Sequence, residues 1–394
     1  MFYYLAQLRD ILDGFNIFRY ITFRAGMAAV TTFLICVIWG QWFIKRLQKF
    51  QVQEQARRED APGLDKFQQG KEGTPTMGGI LIVGSILISV LLWADLSNKY
   101  ILLTGMTCGW LAMLGFMDDY IKLVHSRQPK APDQERRRRD RVINTIKQLG
   151  LPYDLFTRRG RRGLHANTKL AWQLLLGFII GLFIYSSPEI STKLDIPFFK
   201  NAALDLGFFY IPLVVLIVVG TSNAVNLTDG LDGLAIGCVL IVSMALAILS
   251  YITGHIKFSQ YLFLPHVAGS GELTVFCAAL VGASLGFLWF NSYPATIFMG
   301  DVGSLALGGS LGIISVFIKK ELLLILLGGV FVAEALSVIL QVLAVKLTGK
   351  RVFKMSPFHH HLQMSGWNES KIIIRFWIIA MILAFLTITT LKIR

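Results

Sequence analysis

The sequence predicts an all-α, polytopic membrane protein with about ten transmembrane helices. Hydrophobic residues make up 54% of the 394 residues and charged residues only 16%, and the mean hydropathy is +0.59. A water-soluble protein of this length would need more polar side chains to cover its surface. The charged residues also cluster between long apolar runs, as they do in membrane proteins. We interpret residues 1–394 as a single integral membrane domain.

Ten apolar runs account for these helices, and each is close to the ~20 residues that cross ~30 Å of hydrocarbon. They should be helical because lipid offers no hydrogen-bond partner to a free backbone N–H or C=O group. The predicted spans are approximately 26–44, 77–94, 100–117, 170–187, 206–222, 233–252, 273–290, 302–318, 322–345 and 372–391.

The distribution of basic residues predicts the orientation. Ten spans place both termini on one side of the membrane, and 27 of the 38 Lys and Arg residues then fall on the opposite side. The positive-inside rule makes that basic side cytoplasmic and both termini periplasmic. Polar residues before the first span, such as Arg9 and Asp10, argue against a cleaved signal peptide.

A basic loop insertion at about 126–163 lies on the cytoplasmic side and contributes to the net charge of +14. We interpret it as a solvated loop that is attracted to anionic lipid, with a short surface helix at about 140–149. RNA binding is disfavoured because no aromatic residues interleave with the arginines to stack on bases. We therefore expect membrane lipid, and no nucleic acid, as a partner.

Two polar motifs border the second and third spans. Residues 73–79 (GTPTMGG) should begin the second span, with Pro75 in the first helical turn and small residues that let an anion approach. Simple packing is the alternative.

Asp118 and Asp119 end the third span, where the helix dipole and their own repulsion call for a compensating charge such as a divalent cation. A solvated helix end is the alternative.

A third motif, residues 223–233 (NAVNLTDGLDG), connects the fifth and sixth spans and is too polar for a simple hairpin. Asn226, Asp229 and Asp232 recur every three residues. They would share one side of a helix if this segment were helical. A purely structural turn would not need two Asn and two Asp residues.

A fourth motif, residues 291–304, enters the eighth span. Its carboxylate, Asp301, has two interpretations: it caps the helix N-terminus, or it is a metal ligand that faces Asp118 and Asp119.

A fifth motif is the histidine run 359–361 in the last cytoplasmic loop, where imidazoles could bind phosphate, position a carboxylate or carry a proton. Glu334 and Gln341 lie within the ninth span. They are seven residues apart and so share one side of the helix. The motifs alone leave open whether Glu334 is structural or functional.

All five motifs lie on the predicted cytoplasmic side, and together they suggest phosphoryl transfer. Carboxylate ligands suggest Mg²⁺, with Mn²⁺ as the alternative, and Mg²⁺ with basic residues suits a diphosphate substrate. No P-loop motif is present. A transporter is disfavoured because its polar site would lie near the membrane midplane. Redox chemistry and zinc are disfavoured because all four cysteines lie inside apolar runs: Cys36, Cys108, Cys238 and Cys277.

The motifs GTPTMGG, DD (118–119), NAVNLTDGLDGLA (223–235), FMGDVGSL (298–305) and SPFHHHLQMSGW (356–367) closely resemble the phospho-N-acetylmuramoyl-pentapeptide transferase family. The resemblance implies a multi-pass enzyme of the bacterial inner membrane with a cytoplasmic active site. Its substrates would be UDP-MurNAc-pentapeptide and undecaprenyl phosphate, and its products lipid I and UMP. The related N-acetylhexosamine-1-phosphate transferases, which use UDP-GlcNAc, are the alternative. A homodimer is compatible with the family.

The resemblance also implies catalytic roles. Asp301 would be the main Mg²⁺ ligand, with Asp118 and Asp119 beside it. Asp118 would be the base for the lipid phosphate or would position it; we favour positioning because phosphate is already largely ionised at neutral pH. Asp229 and His360 would line the catalytic cleft.

Substrate contacts are implied as well. The uridine pocket would include Lys71, Asp232 and Phe298, whose ring could stack on uracil. Further polar contacts would come from Thr76, Lys169, Asn226, Asn291, Gln341 and His361. The insertion at about 126–163 and the expanded stretch at about 60–70 depart from the family pattern, which puts loop contacts in doubt but not the core chemistry.

Overall fold

The computed structural model describes residues 1–8, 13–49, 73–126, 163–197, 199 and 202–392. Its α-helices are α1 (Ile21–Lys49), α2 (Gly79–Trp93), α3 (Lys99–Ser126), α4 (Ala166–Ser186), α5 (Tyr210–Thr228), α6 (Leu234–Gly254), α7 (Ile256–Tyr261), α8 (Leu273–Asn291), α9 (Gly300–Phe317), α10 (Glu321–Leu327), α11 (Gly329–Thr348), α12 (Phe358–Gln363) and α13 (Glu369–Thr389).

Short 3₁₀ helices and one small sheet complete the described part. The 3₁₀ helices are Phe2–Leu8, Asp13–Arg19, Gly207–Phe209, Ser270–Glu272 and Thr390–Lys392. Between α4 and α5, strands β1 (Lys193–Asp195) and β2 (Ala203–Asp205) pair antiparallel, with Leu194 opposite Leu204.

The helices confirm the all-α, polytopic prediction. Within the described residues, nine helices are long and apolar enough to cross a membrane, and α2 is a shorter apolar helix. Together they match the ten predicted spans. The apolar runs therefore identified the helices correctly, because the bilayer imposes both their length and their composition.

The predicted ends of the helices needed four corrections. α3 continues to Ser126 instead of ending near 117, and α5 continues to Thr228 instead of ending near 222. The predicted ninth span begins with a separate helix, α10, before α11. Hydropathy falls where polar residues begin, although the backbone hydrogen bonds of a helix continue through them.

The fourth correction concerns Pro75, which lies before α2 and not in its first turn. The Pro75 carbonyl accepts a hydrogen bond from Phe298 N at 2.8 Å, and Gly78 N donates to Phe298 O at 2.9 Å. The segment before α2 therefore pairs with the segment before α9. This pairing fixes the starts of two helices beside each other.

The central helix is α9. Every residue from Val302 to Phe317 is buried, and α9 contacts α2, α3, α5 and α6. Its sequence is rich in Gly, Ala and Ser, and such small residues let helix backbones approach closely where lipid supplies no hydrophobic driving force. Asp301, the second residue of this helix, is consequently surrounded by other helices.

Candidate active site

Three carboxylates meet at the start of α9. One oxygen from each of Asp118, Asp119 and Asp301 lies within 4.8 Å of the others. Asp118 and Asp119 are buried, with exposed fractions of 3% and 5%. The prediction that Asp301 faces this pair is confirmed. The capping interpretation is wrong: the N-cap position belongs to Met299, and no side chain caps the helix.

The close approach of α3 to α9 brings these carboxylates together. A Cβ atom on Gly115 would overlap the backbone of Asp301 and Val302. Glycine therefore lets the two backbones touch one turn before Asp118 and Asp119. Because α3 continues to Ser126, both acids lie within the helix and not at its C-terminus, where the dipole would oppose them.

Two lysines supply positive charge to the carboxylates. Lys122 Nζ lies 2.6 Å from Asp118 Oδ2, 2.9 Å from Asp301 Oδ2 and 3.4 Å from Asp119 Oδ1. Lys169 Nζ lies 2.6 Å from Asp301 Oδ2 and 3.2 Å from Asp118 Oδ2. Lys169 was in the predicted set of site residues, whereas Lys122 was expected only as one of the basic residues near the motifs. Its spacing of three and four residues from the two acids on α3 was the available signal.

Three neutral donors complete the surroundings of the carboxylates. Asn226 Nδ2 donates to Asp301 Oδ1 at 2.9 Å, and Leu164 N donates to Asp118 Oδ1 at 2.7 Å. Val302 N donates to Asp119 Oδ2 at 3.4 Å. Asn226 reaches the cluster because α5 stays helical beyond the predicted end of the span. The site thus combines residues of α3, α4, α5 and α9.

Asp229 and Asp232 do not share a helix face with Asn226, because the segment is not helical throughout, which was the condition of that expectation. α5 ends at Thr228, and Asp229 occupies the position directly after it. Asp232 is buried in the following turn, where its Oδ2 accepts a hydrogen bond from Ala295 N at 3.0 Å. The turn is therefore joined to the loop before α9.

Three more predicted residues lie in or beside the same loop. Asn291 is buried; its Oδ1 accepts from Gly233 N at 3.0 Å and its Nδ2 donates to Ile297 O at 2.8 Å. Phe298, partly buried, pairs through its backbone with the segment before α2. The Thr76 hydroxyl and the Asp119 carboxylate both lie beside Gly300. Asn291 orders the loop, while Thr76 borders the carboxylate cluster.

The three histidines have three different partners. His359 is fully buried and its Nδ1 lies 3.1 Å from Glu334 Oε2. His360 Nδ1 lies 2.8 Å from Gln363 Oε1. His361 Nδ1 accepts a hydrogen bond from Lys354 N at 3.2 Å. Since an accepting Nδ1 is unprotonated, neutral His361 carries its proton on Nε2 and can donate it to a ligand.

Gln341 binds the backbone of the segment that precedes the histidines. Its Oε1 accepts hydrogen bonds from Val352 N and Phe353 N at 3.1 and 2.9 Å, and its Nε2 donates to Phe353 O at 3.1 Å. Glu334 and Gln341 both lie on the buried face of α11. The prediction that they share one side of the helix is confirmed.

Some predictions fall outside the described residues: Lys71, most of the insertion at about 126–163 and its short helix at about 140–149. Among the described residues, the predicted set divides into two groups. Hydrogen bonds and ion pairs join Asp118, Lys169, Asn226 and Asp301 directly, and Asp119 joins them through Lys122. The remaining residues lie in the surrounding loops and helices: Thr76, Asp229, Asp232, Asn291, Phe298, Gln341, His360 and His361.

The donor set fits a hard divalent cation. Three carboxylates offer oxygen ligands at short mutual distance, which is the chemistry that Mg²⁺ and Mn²⁺ prefer. The two lysines balance only two of the three negative charges. Their side chains keep exposed fractions of 32% for Lys122 and 19% for Lys169, so an anionic ligand can reach the ammonium groups.

Comparisons with known proteins identify the family of this chain. A family model described as "Glycosyl transferase family 4" matches residues 143–319. Residues 71–83 match "Phospho-N-acetylmuramoyl-pentapeptide-transferase signature 1", which includes the segment that pairs with Phe298.

Full-length relatives carry the same name. Proteins named phospho-N-acetylmuramoyl-pentapeptide-transferase from Desulforapulum autotrophicum and Pelobacter propionicus are each 48% identical over 395 residues, which cover 100% of this chain and 100% of theirs. A third, from Thermodesulfovibrio yellowstonii, is 46% identical over 393 residues, 99% of each chain. The chain therefore belongs to the phospho-N-acetylmuramoyl-pentapeptide transferase family.

Proposed function

We propose that this enzyme transfers phospho-MurNAc-pentapeptide from UDP-MurNAc-pentapeptide to undecaprenyl phosphate, which yields lipid I and UMP. The observation that carries the proposal is the cluster of Asp118, Asp119 and Asp301 with two lysines, built from three helices of a membrane protein of this family. Such a site can bring a nucleotide diphosphate and a lipid phosphate together although both are anionic.

In the proposed reaction, an oxygen of the lipid phosphate forms a bond to the phosphorus that carries the sugar. The bond between that phosphorus and the bridging oxygen breaks, and UMP leaves with the electron pair. Negative charge therefore grows on UMP. Lys122 and Lys169 would neutralise part of it, because their ammonium groups are partly exposed beside the carboxylates and can turn towards a phosphate.

Asp118 is suited to positioning the lipid phosphate. Its two oxygens are held by Leu164 N and by the lysines, so the carboxylate has a fixed orientation. Asp229 and His360 would line the cleft beside it. The positioning role requires no proton transfer, since phosphate already carries most of its charge at neutral pH.

Asp118, Asp119 and Asp301 would hold Mg²⁺, or Mn²⁺ in its place. An ion held there would supply positive charge that offsets the negative charge growing on the leaving group. Asn226 supports this assignment, because its hydrogen bond to Asp301 Oδ1 fixes the carboxylate from the side opposite the lysines' contacts with Oδ2.

The nucleotide and sugar would contact residues around the cluster. Phe298 would stack on uracil beside Asp232 and Lys71, and His361 would donate a hydrogen bond from Nε2. Thr76 lies next to Asp119 and can reach the same phosphates. Asn291 and Gln341 would act through the loops that their amides hold in place.

We place the site on the cytoplasmic face of the bacterial inner membrane. The cluster lies where the loops with 27 of the 38 basic residues leave the helices, which the positive-inside rule makes cytoplasmic. The proposal includes periplasmic termini and a homodimer. Cysteine accessibility from each side tests the orientation, and the mass of the purified protein–detergent complex tests the dimer.

The deciding experiment supplies purified enzyme, undecaprenyl phosphate and Mg²⁺ with either UDP-MurNAc-pentapeptide or UDP-GlcNAc. We expect lipid I and stoichiometric UMP from the first nucleotide and no lipid product from the second. A lipid product from UDP-GlcNAc alone would instead assign the chain to the related N-acetylhexosamine-1-phosphate transferases.

A further inference from the structure

We propose that Glu334 and His359 are positioning residues: a buried pair that sets where α12, with His360 and His361, lies against the turn that carries Asp229. The inference rests on the proposed function, because it gives a role in that reaction to two residues that do not contact its substrates. Neither Glu334 nor His359 has any exposed surface.

Glu334 holds His359 at two points. The backbone N of His359 donates to Glu334 Oε1 at 3.1 Å, and His359 Nδ1 lies 3.1 Å from Glu334 Oε2. His359 is the second residue of α12, where a helix leaves its own N–H groups without an internal acceptor. The carboxylate therefore fixes both the start of α12 and the orientation of the His359 ring. These two contacts explain why an acid lies at membrane depth, where an unpaired carboxylate is costly.

The other edge of the ring contacts the Asp229 turn. A Cβ atom on Gly230 would overlap His359 Nε2, and within the described part of the chain this nitrogen has no hydrogen-bond partner. The ring is thus wedged between Glu334 of α11 and the turn that follows α5. A shift of the ring would move the histidine helix relative to Asp229.

The next histidines depend on the same support. The His361 ring packs against Phe358 and Phe353, with centroids 5.8 and 5.5 Å away, and Gln341 fixes Phe353 from the same face of α11. Glu334 and Gln341, two turns apart on α11, therefore hold the histidine segment at two points. The competing role for Glu334 is proton transfer, but both of its oxygens are already engaged by His359.

The test uses Glu334→Gln, which keeps the size of the side chain but replaces one of the two oxygens that contact His359 with an amide nitrogen. We expect kcat for lipid I formation to fall about 10- to 100-fold, since small misplacements of reacting groups cost this much. KM for UDP-MurNAc-pentapeptide should change less than about threefold, and the pH–rate profile should keep its shape. Loss of a limb of that profile would instead assign proton transfer to Glu334 and overturn the proposal.

Glu321→Gln is the matched control, because Glu321 is an equally buried acid that hydrogen-bonds Tyr210 at the other end of α9. It should retain kcat within about twofold. Equal losses in Glu334→Gln and Glu321→Gln would show a general effect of buried acids on folding and would sink the positioning role.

Gly230→Ala provides a second route that leaves the buried charge intact. Because the added methyl group would displace the His359 ring, Gly230→Ala should also lower kcat. The effects of Gly230→Ala and Glu334→Gln on kcat should be less than additive in the double variant. Full additivity would contradict a shared mechanism. If wild-type enzyme makes no lipid I, the proposed function itself fails; if it does and these variants match it, only the positioning role fails.

Discussion

The two ends of α9 both gather charged side chains, yet they differ in composition and in access. At the Asp301 end, three carboxylates meet two lysines, and the lysine side chains are 32% and 19% exposed. At the other end, Lys319 hydrogen-bonds the Tyr210 hydroxyl at 2.7 Å and faces Glu321 at 3.8 Å. Lys320 pairs there with Asp195 of β1 at 2.7 Å.

The second end is closed and balanced. The Lys319, Lys320 and Glu321 side chains are exposed by 4% or less, and two acids match two bases. Such a network ties the β1–β2 hairpin to the helices. Buried charge alone therefore does not identify a functional site in a membrane protein. An excess of one sign, together with an opening to an anionic ligand, is the more informative feature.

The largest expected contrast comes from removing one carboxylate at each end. Asp301→Asn should lower turnover at least about 10³-fold, because the change removes a charge from the proposed ion site and from both lysine pairs. Asp195→Asn should keep turnover within about twofold. Lipid I formation measures both, and membrane insertion of each variant serves as the control. Near-normal turnover in Asp301→Asn would remove its assigned role.

Metal removal should be almost as severe. Because three oxygen ligands fit a hard cation, EDTA should abolish lipid I formation, and Mg²⁺ or Mn²⁺ should restore it. Binding of Mn²⁺ can be followed directly by electron paramagnetic resonance, and Asp301→Asn should weaken it whereas Asp195→Asn should not. Full activity in chelator would contradict the assignment of the cluster to a metal.

Removal of one lysine at each end should give a smaller contrast. Lys169→Met should reduce kcat/KM for UDP-MurNAc-pentapeptide by about 10²-fold, since one charged contact to a phosphate is lost. Lys320→Met should leave kcat/KM within about twofold and lower thermal stability instead, because it leaves Asp195 without its buried partner. Similar kinetic losses in both variants would erase the distinction between the two ends.

The smallest effect concerns pH and stability at the closed end. Burial lowers the pKa of Lys319 from 10.5 to about 8. Between these two pH values the unfolded chain binds a proton that the folded chain lacks, so this group makes stability rise with pH in that window.

Lys319→Met should therefore show a smaller rise in melting temperature than wild type when detergent-solubilised enzyme is compared at pH 8 and pH 10. Lipid I formation at pH 8 should stay within about twofold of wild type. An identical pH response in the two proteins would show that Lys319 is already charged in the folded state throughout this range.

The amino-acid sequence predicted the ten helices and the motifs, but not where several helices end or which polar residues meet. The motifs left open whether Asp301 caps α9 or faces Asp118 and Asp119; the family resemblance implied the second arrangement, and the structure shows it. Lys122 was expected only as one of the basic residues near the motifs and not as part of the site, although it contacts all three carboxylates, because a lysine near a helix end is ordinarily explained by topology alone.

For Glu334, the sequence indicated that a partner is needed but could not identify it. Its position inside an apolar run showed that it needed a partner, but nothing near it in the chain identified His359, 25 residues away. Asn226, Asp229 and Asp232 show how spacing can mislead. Their period of three would suit one helix face, whereas the helix ends at Thr228, and Asn226 and Asp232 bind different partners.

By itself, the sequence determined the membrane class, the basic side and the family, since these depend on local hydropathy, on charge counts and on contiguous motifs. Tertiary structure decided which side chains share a site: Lys122 and Asp301 are 179 residues apart and meet only through the packing of α3 on α9. The physical reason is the distance along the chain over which each effect acts. Lipid acts on each span separately, whereas a cluster of like charges forms only where several helices hold it together.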